Sequence, residues 1–156
     1  MLAEEVGELL RSRKETLAVA ESCTGGKVGD LITDVPGSSE YFQGGIISYS
    51  NEAKVSLLGV KKATLKAKGA VSEEVAIQMA RGVRERMGAT YGVGITGIAG
   101  PAGGSKAKPV GLVYIAVVSS KDRFCERNIF KGLRTNVKRA AAKRSLEILL
   151  VFVNAR

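Results

Sequence analysis

The chain has no histidine and no tryptophan, and only two of its 156 residues are cysteine. Without histidine, Ser-His-Asp and Cys-His catalysis, histidine-ligated zinc and an imidazole base are all excluded. Cys23 and Cys125 lie far apart and lack metal-ligand spacing, so we expect neither a disulfide framework nor a zinc site. If the protein is an enzyme, its base is therefore a carboxylate, a lysine, a tyrosine or a bound water.

Long hydrophobic runs are also missing. The longest, Gly111–Val118 and Ile148–Val153, are too short to cross a bilayer. The first residues, Met1–Gly7, carry two acids and no basic start, which is not the pattern of a signal peptide. We therefore expect a cytoplasmic protein without a membrane partner. With 45% apolar and 25% charged residues, the sequence predicts a single globular domain over residues 1–156.

Acidic residues are the scarcer charged type. The 24 Lys and Arg residues exceed the 15 Asp and Glu residues, which gives a net charge of +9. Such a surplus favours anionic partners, either nucleic acid or phosphorylated metabolites. With four Phe, four Tyr and no Trp, the chain has few side chains on which the bases of a single strand could stack.

Amphipathic and short apolar segments alternate along the chain. Helices are predicted over Leu2–Arg13, Gly25–Thr33, Glu52–Leu58 with Asn51 as its cap, Glu73–Met87 and Thr135–Asn154. Strands are predicted over Thr16–Ala20, Gly45–Tyr49, Tyr91–Thr96, Leu112–Ser119 and Phe124–Phe130, the last two forming a hairpin. This order predicts an α/β fold, a mostly parallel sheet with helices on both faces and at least one antiparallel strand. Ligands of such sheets bind at the carboxyl ends of strands, here after Ala20, Tyr49 and Thr96.

The first of these loops, Ala20–Gly26, places small polar residues before two glycines that open a helix. This pattern aims backbone N–H groups at an anion and presents one side chain on a tight elbow. Ser22 is the candidate nucleophile, with Thr24 and the amides near Gly25 as oxyanion donors. The alternative is a helix cap made by Ser22 or Thr24. Cys23 is a rival nucleophile, but without a histidine to activate it a buried structural role is favoured.

The second loop supplies a candidate base. With Asn51 as the cap, Lys54 is the third residue of its helix and faces the positive end of the helix dipole. The dipole and burial would both lower the pKa of Lys54, so that its neutral amine could act as a general base. Tyr49 ends the preceding strand and could relay or donate a proton. The alternative is an exposed lysine paired loosely with Glu52.

The third loop, Gly94–Ser105, has five glycines in twelve residues. Such a loop can cradle a phosphate or a sugar through its N–H groups, and Lys106 and Lys108 would add attraction for an anion. It is neither a Walker motif nor a dinucleotide fingerprint, because no Gly-Lys-Ser/Thr closes it and Pro101 interrupts the helix start. A flexible crossover loop is the alternative.

A basic stretch, Lys131–Arg144, precedes and lines the last predicted helix. Near the start of that helix, Arg134 could bind a phosphate with two hydrogen bonds. The other cations of the stretch fit a solvated helix face, with leucines buried opposite.

Seven short motifs follow one another in a fixed order along nearly the whole chain. They are Ala20–Gly26 (AESCTGG), Gly37–Ser39 (GSS), Tyr49–Lys54 (YSNEAK), Gly69–Glu73 (GAVSE), Thr96–Pro101 (TGIAGP), Gly103–Ser105 (GGS) and Lys108–Gly111 (KPVG). Together they closely resemble the competence/damage-inducible CinA C-terminal domain family, whose stand-alone members include nicotinamide-nucleotide amidohydrolases.

The resemblance implies a three-layer α/β/α sandwich with a mixed, mostly parallel sheet. It implies hydrolysis of nicotinamide mononucleotide to nicotinic acid mononucleotide and ammonia, within pyridine-nucleotide recycling. No metal and no organic cofactor is implied. The expected partners are the phosphorylated pyridine nucleotide and further copies of the chain in a homo-oligomer.

The matching motifs imply which residues of this sequence correspond to the family's active site. Ser22 is similar to the family's nucleophile, Lys54 to its base and Tyr49 to its assisting hydroxyl. Arg134 sits where the family tends to have an arginine near the phosphate, although Leu133 replaces a residue that is often polar. The remaining substrate-contacting candidates are Thr24, Gly25, Thr96, Gly97, Gly100, Gly103 and Gly104.

Two alternatives remain open at this point. One is a non-catalytic nucleotide-binding module in which Ser22 only caps a helix. The other is a nucleic-acid-binding protein, suggested by the net charge and by the competence-related name of the family.

Overall fold

The computed structural model describes every residue from Met1 to Arg156. Its strands are β1 (Leu17–Glu21), β2 (Phe42–Ile47), β3 (Tyr91–Gly97), β4 (Leu112–Val118) and β5 (Arg123–Ile129). Its helices are α1 (Leu2–Arg13), α2 (Lys27–Thr33), α3 (Asn51–Leu58), α4 (Lys62–Lys68), α5 (Glu73–Met87) and α6 (Arg134–Asn154), and a 3-10 turn spans Ser38–Glu40. None of these helices combines the length and the apolarity that a membrane crossing requires.

The five strands form one mixed sheet in the order β2-β1-β3-β4-β5. β1 pairs in parallel with both β2 and β3, whereas β4 is antiparallel to β3 and to β5. Four strands therefore run in one direction. One face of the sheet is covered by α1, α2 and α6, and the other by α5 with α3 and α4 beside it. The predicted three-layer α/β/α sandwich and the predicted β4–β5 hairpin are confirmed.

The two faces of the sheet carry side chains of different size. Bulky residues such as Val19, Val93 and Ile115 point into the core beneath α1, α2 and α6. The α5 face presents smaller groups, including Ala20 and Gly94. A Cβ atom at Gly94 would lie 2.7 Å from the backbone nitrogen of Ala80 on α5. The missing side chain therefore lets α5 pack directly on the backbone of β3.

We expect Gly94→Ala to lower the free energy of unfolding by at least about 2 kcal/mol, because the added methyl group meets backbone atoms that cannot rotate away. Urea denaturation measures this loss. Gly29→Ala in α2 is the matched control, since its Cβ would meet its nearest neighbour at an ordinary 3.7 Å. Equal stability of Gly94→Ala and the wild type would contradict the close packing of α5 on β3.

Several predicted bounds need correction. The predicted strand Gly45–Tyr49 is displaced, since β2 ends at Ile47 and the next two residues form the loop. Helix α2 begins at Lys27 and not at Gly25, because Gly25 and Gly26 adopt left-handed φ angles of 61° and 106°.

Helices α3 and α4 also differ from prediction. The cap of α3 is Ser50, whose hydroxyl accepts the Ala53 N–H, so the prediction that Asn51 caps this helix is wrong. Helix α4 was not predicted. Its sequence is dominated by lysine, and Leu65 is its one apolar side chain packed against the core around α5. A single apolar side chain gives no periodic signal.

Candidate active site

Three predicted loops meet at one edge of the sheet. The carboxyl ends of β1, β2 and β3 lie side by side there, because these three strands are parallel neighbours. A cavity of ≈ 270 Å³ opens at this edge. It is lined by Ser22, Cys23, Tyr49, Asn51, Lys54, Ala70, Val71, Thr96, Gly97, Ile98, Ala99, Gly100, Ala102, Gly103 and Arg134. The cavity lies at the carboxyl ends of the parallel strands, which is where sheets of this kind bind their ligands.

Ser22 and Lys54 are in direct contact in this cavity. The Nζ atom of Lys54 lies 2.9 Å from the Oγ atom of Ser22, and it donates to the backbone carbonyls of Ser48 at 2.7 Å and Tyr49 at 3.2 Å. Lys54 is 1% exposed. Burial disfavours the ammonium form and lowers the pKa of Lys54 to about 8. The pair thus combines a hydroxyl with an amine that gives up its proton near pH 8.

Because Ser50 caps α3, Lys54 is the fourth residue of the helix and not the predicted third. From the first turn of α3 its side chain reaches the loop that follows β1. Burial, one of the two causes expected from the sequence, is the chief cause of the low pKa of Lys54.

The side chain of Tyr49 points away from this pair. Its hydroxyl accepts a hydrogen bond from the Arg134 guanidinium at 3.0 Å, and no hydrogen bond joins it to Ser22 or Lys54. The backbone carbonyl of Tyr49, in contrast, holds the Lys54 amine. An assisting role for the Tyr49 hydroxyl stays a prediction.

The loop after β1 does not offer its glycine amides to a ligand. The Glu21 carboxylate accepts the N–H groups of Gly26, Val28 and Gly29 at 3.0–3.1 Å. The Gly25 N–H donates to the carbonyl of Ser22 at 3.1 Å, so this amide already has a partner, and the role of the amides near Gly25 as oxyanion donors stays a prediction. The anion that this loop binds is the chain's own carboxylate.

Three other amides in the loop, those of Ser22, Cys23 and Thr24, donate no hydrogen bond to another residue. The Thr24 side chain is fully buried, lies outside the cavity lining and leaves its Oγ1 without a partner. Ser22 and Cys23 line the cavity, so their amides are better placed than that of Thr24 to donate to an oxyanion. The sequence had named the amides near Thr24 and Gly25.

Both cysteines are free. Cys23 lines the cavity, but burial raises the pKa of its thiol to about 11. Cys125 on β5 is half-buried, and burial raises its pKa to about 12. Thiols protonated at neutral pH are poor nucleophiles. This supports Ser22 over Cys23 as the reacting group.

The glycine-rich loop after β3 contributes to the cavity lining. Gly97, Gly100 and Gly103 line the cavity, whereas Gly104 lies outside the lining. Thr96 also lines it, but its hydroxyl donates to the carbonyl of Ala70 at 2.9 Å. This bond joins β3 to the segment between α4 and α5, which forms part of the cavity wall. Residue patterns gave no sign that this segment belongs to the site, and it was noted only as the GAVSE motif of the family resemblance.

Two cations lie beside Ser22, and one of them, Arg134, lines the cavity. Arg134, the first residue of α6, donates to the carbonyl of Gly100 at 2.8 Å and to the Tyr49 hydroxyl, so it bridges two walls. One turn further, Lys138 Nζ lies 3.6 Å from the position of a Cβ on Gly25. Neither cation has an acidic partner. Unneutralised cations beside a nucleophile favour a substrate that carries a negative charge.

No three His, Cys, Asp or Glu side chains come together in a way that could hold a metal ion. The groups that the cavity does offer are a hydroxyl, a buried amine, free backbone N–H groups and a guanidinium. These are the parts of a nucleophilic acyl-transfer site.

The amino-acid sequence is similar to those of CinA proteins. The sequence model of the CinA C-terminal domain matches residues 1–153. A CinA-like protein of Cyanothece sp. is 62% identical over 116 residues, which are 74% of this chain and 28% of the relative. A CinA-like protein of Nostoc punctiforme is 59% identical over 121 residues, 78% of this chain and 29% of the relative. The chain thus spans about a third of the length of the curated relatives it matches.

Solved structures share the whole fold. The crystal structure of the competence/damage inducible protein CihA from Agrobacterium tumefaciens superposes with a TM-score of 0.94 at 37% identity, covering 98% of this chain and 93% of that one. A competence-damaged protein (CinA) superfamily protein from Klebsiella pneumoniae superposes with a TM-score of 0.96 at 30% identity. The coverage is 99% of this chain and 97% of the Klebsiella chain.

Proposed function

The chain belongs to the CinA C-terminal domain family, and we propose that it is an amidase that hydrolyses nicotinamide mononucleotide to nicotinic acid mononucleotide and ammonia. The observation that carries the proposal is the 2.9 Å hydrogen bond between Ser22 Oγ and Lys54 Nζ in a chain that has no histidine. The amide substrate itself comes from the family resemblance.

The contacts of Lys54 suit a neutral base. An uncharged amine has two N–H bonds and one lone pair. The carbonyls of Ser48 and Tyr49 accept both N–H bonds, which turns the lone pair toward the Ser22 hydroxyl. Once Lys54 has taken a proton, the same two carbonyls and Ser22 Oγ satisfy all three donors of the ammonium. Lys54 is therefore fully hydrogen-bonded both as an amine and as an ammonium ion, which suits a group that accepts and returns a proton in each catalytic cycle.

In the first half of the reaction, Lys54 removes the hydroxyl proton as Ser22 Oγ forms a bond to the carboxamide carbon. The carbonyl π electrons move onto oxygen, and the Cys23 N–H donates to this oxyanion. The intermediate collapses, the C–N bond breaks, and the Lys54 ammonium gives its proton to the departing nitrogen. Ammonia leaves, and an ester joins the substrate's acyl group to Ser22.

In the second half, a water molecule attacks the ester carbon while Lys54 takes one of its protons. The C–O bond to Ser22 breaks, and Lys54 returns the proton to Ser22 Oγ. The products are a carboxylic acid and the free enzyme. Each proton that Lys54 accepts is delivered within the same half-reaction, so the chemistry needs no metal and no organic cofactor.

The rest of the cavity would hold the nucleotide. Arg134 and Lys138 supply positive charge for the phosphate, and the glycines of the loop after β3 let the backbone approach the ribose. Binding energy from these remote groups orients the amide against Ser22. The net charge of +9 attracts the anionic substrate.

We also propose that the protein works in the cytoplasm as a homo-oligomer. Phe124 on β5 and Val151 on α6 are large apolar side chains that are 46% and 69% exposed. They line one surface groove together with Ile148 and Phe152. An apolar patch of this kind is typical of protein–protein contacts, and a second copy of the chain is the partner that the family resemblance suggests.

Ammonia release tests the proposed function. Purified protein incubated with nicotinamide mononucleotide should give ammonia and nicotinic acid mononucleotide in equal amounts. Nicotinamide riboside, which lacks the phosphate, is the matched control and should react more slowly because Arg134 and Lys138 have no anion to bind. Binding of the mononucleotide without any ammonia would support a non-catalytic module and overturn the amidase proposal.

The rate should rise with pH through about 8. Only neutral Lys54 accepts the Ser22 proton, and its pKa is lowered to about 8, so about a tenth of the protein is competent one unit below that value. We expect kcat/KM to fall about tenfold per unit below the midpoint and to level off above it. A pH profile between 6 and roughly 9.5 checks this expectation. A profile that is flat across the range, or that declines with pH, would rule out Lys54 as the base.

A further inference from the structure

Glu21 is a buried carboxylate at the end of β1, directly before the proposed nucleophile. It is 2% exposed, and it takes part in none of the chain's ion pairs. Burying a charge is costly unless hydrogen bonds replace the lost water. The structure therefore has to compensate this carboxylate locally.

Backbone amides provide that compensation. Glu21 Oε1 accepts the N–H groups of Gly26 and Val28, both at 3.1 Å, and Oε2 accepts the Gly29 N–H at 3.0 Å. The first turn of a helix leaves its N–H groups without partners inside the helix. The carboxylate of Glu21 satisfies the start of α2, and in doing so it fixes both ends of the Ser22–Gly26 loop.

The main chain of Glu21 holds the other partner of the site. Its carbonyl accepts the Ser48 N–H at 2.8 Å, and the carbonyl of Ser48 accepts the Lys54 amine at 2.7 Å. Through its side chain Glu21 supports the loop that carries Ser22. Through its backbone it supports the carbonyl on which Lys54 rests. One residue thus connects the two halves of the Ser22–Lys54 pair.

We propose that Glu21 is a positioning residue that keeps Ser22 Oγ within hydrogen-bond reach of the Lys54 amine, acting through the loop backbone and without touching the substrate. The inference rests on the proposed amidase function. It assigns the α2 amides to internal support, so recognition of the substrate's anionic group depends on side chains such as Arg134.

If the charge of Glu21 acted directly on Lys54, removing that charge would shift the pKa of Lys54. The low pKa of Lys54 follows from burial, and Glu21 is not among the groups that shift it. No cation forms an ion pair with the Glu21 carboxylate, whose partners are three backbone amides. Removing the charge of Glu21 should therefore leave the pKa of Lys54 in place while the geometry of the pair loosens.

Glu21→Gln separates these roles, since it keeps the size of the side chain but sets an NH2 group against backbone N–H donors. We expect kcat to fall about 10- to 100-fold, with KM within about threefold and the midpoint of the pH profile unchanged. Glu85→Gln, an exposed change on α5, controls for loss of charge. Val153→Ala, a cavity in the core beneath α6, controls for lost stability. Both controls should keep the wild-type kcat.

A second readout does not depend on the amide substrate. Phenylmethanesulfonyl fluoride sulfonylates an activated serine, and intact-protein mass spectrometry follows the labelling. Ser22 should be labelled in the wild type and about tenfold more slowly in Glu21→Gln, with Val153→Ala like the wild type. If the wild type is labelled but releases no ammonia, the amidase proposal fails while the positioning role is still tested.

Four results would overturn the positioning role. They are a wild-type kcat in Glu21→Gln, a rise in KM alone, a shifted pH midpoint, and labelling of Glu21→Gln at the wild-type rate.

Discussion

Replacing Ser22 with alanine is expected to lower kcat/KM by about 10³-fold or more, because the variant has no oxygen to form the acyl ester. The fold should persist, since the lost hydroxyl leaves Lys54 with two carbonyl partners, on Ser48 and Tyr49. Ammonia release from nicotinamide mononucleotide measures the change, and circular dichroism checks the fold.

Two matched variants make this result specific. Ser56→Ala removes an exposed hydroxyl on α3 and should leave the rate unchanged. Cys23→Ala removes the rival nucleophile, whose thiol stays protonated because burial raises its pKa to about 11, and it should keep most of the activity. Activity of Ser22→Ala near the wild-type level, or loss of activity in Cys23→Ala alone, would assign the nucleophile elsewhere.

The second large effect is expected for Lys54→Met, which keeps the length of the side chain and removes the amine. With no base within reach of Ser22 Oγ, kcat/KM should fall by about 10³-fold or more, and the residual rate should lose its rise through pH 8. Lys62→Met in α4 removes an exposed lysine and is the matched control. Near wild-type activity in Lys54→Met would contradict the proposed mechanism.

The same variant has a signature in stability. Between pH 8 and 10.5 the unfolded Lys54 still binds a proton that the folded protein has released, so folding gains free energy as the pH rises. Relative to Lys54→Met, the wild type should gain up to about 3 kcal/mol across this window, a contribution that is lost again as the pH falls through 8. Urea denaturation of both proteins at several pH values measures the difference.

Much of this site was predictable from the sequence, because its key residues follow strands whose pattern is local. The alternation of apolar strands and amphipathic helices predicted the sandwich. The absence of histidine then left Lys54 among the few available bases, and its place in the first turn of a predicted helix suggested a low pKa. The places of these residues at strand ends and in a first helical turn depend on patterns within a few positions, which the sequence shows directly. The contact between Ser22 and Lys54 spans 32 positions and was expected from the family resemblance.

Other features depend on contacts between distant parts of the chain. Arg134 meets the hydroxyl of Tyr49 across 85 positions of sequence, and Glu21 supports Ser48 across 27. Periodicity carries no information about such pairs. The occupied amides of the first loop illustrate the same limit, since an acid at the end of an apolar strand shows no sign of which N–H groups it will accept.

NMR titration of Lys54 measures the pKa of the proposed base without any substrate. The side-chain nitrogens of lysine are isotopically labelled, and the Lys54 resonance is the one that is missing from the spectrum of Lys54→Met. A pKa near 8 is the expected result, since burial disfavours the ammonium form and leaves the amine uncharged in about a tenth of the molecules at pH 7. A pKa at the ordinary value of 10.5 would contradict the role of Lys54 as the base. Lys54 would then be an ammonium ion beside Ser22, and an ammonium ion has no lone pair to receive the hydroxyl proton.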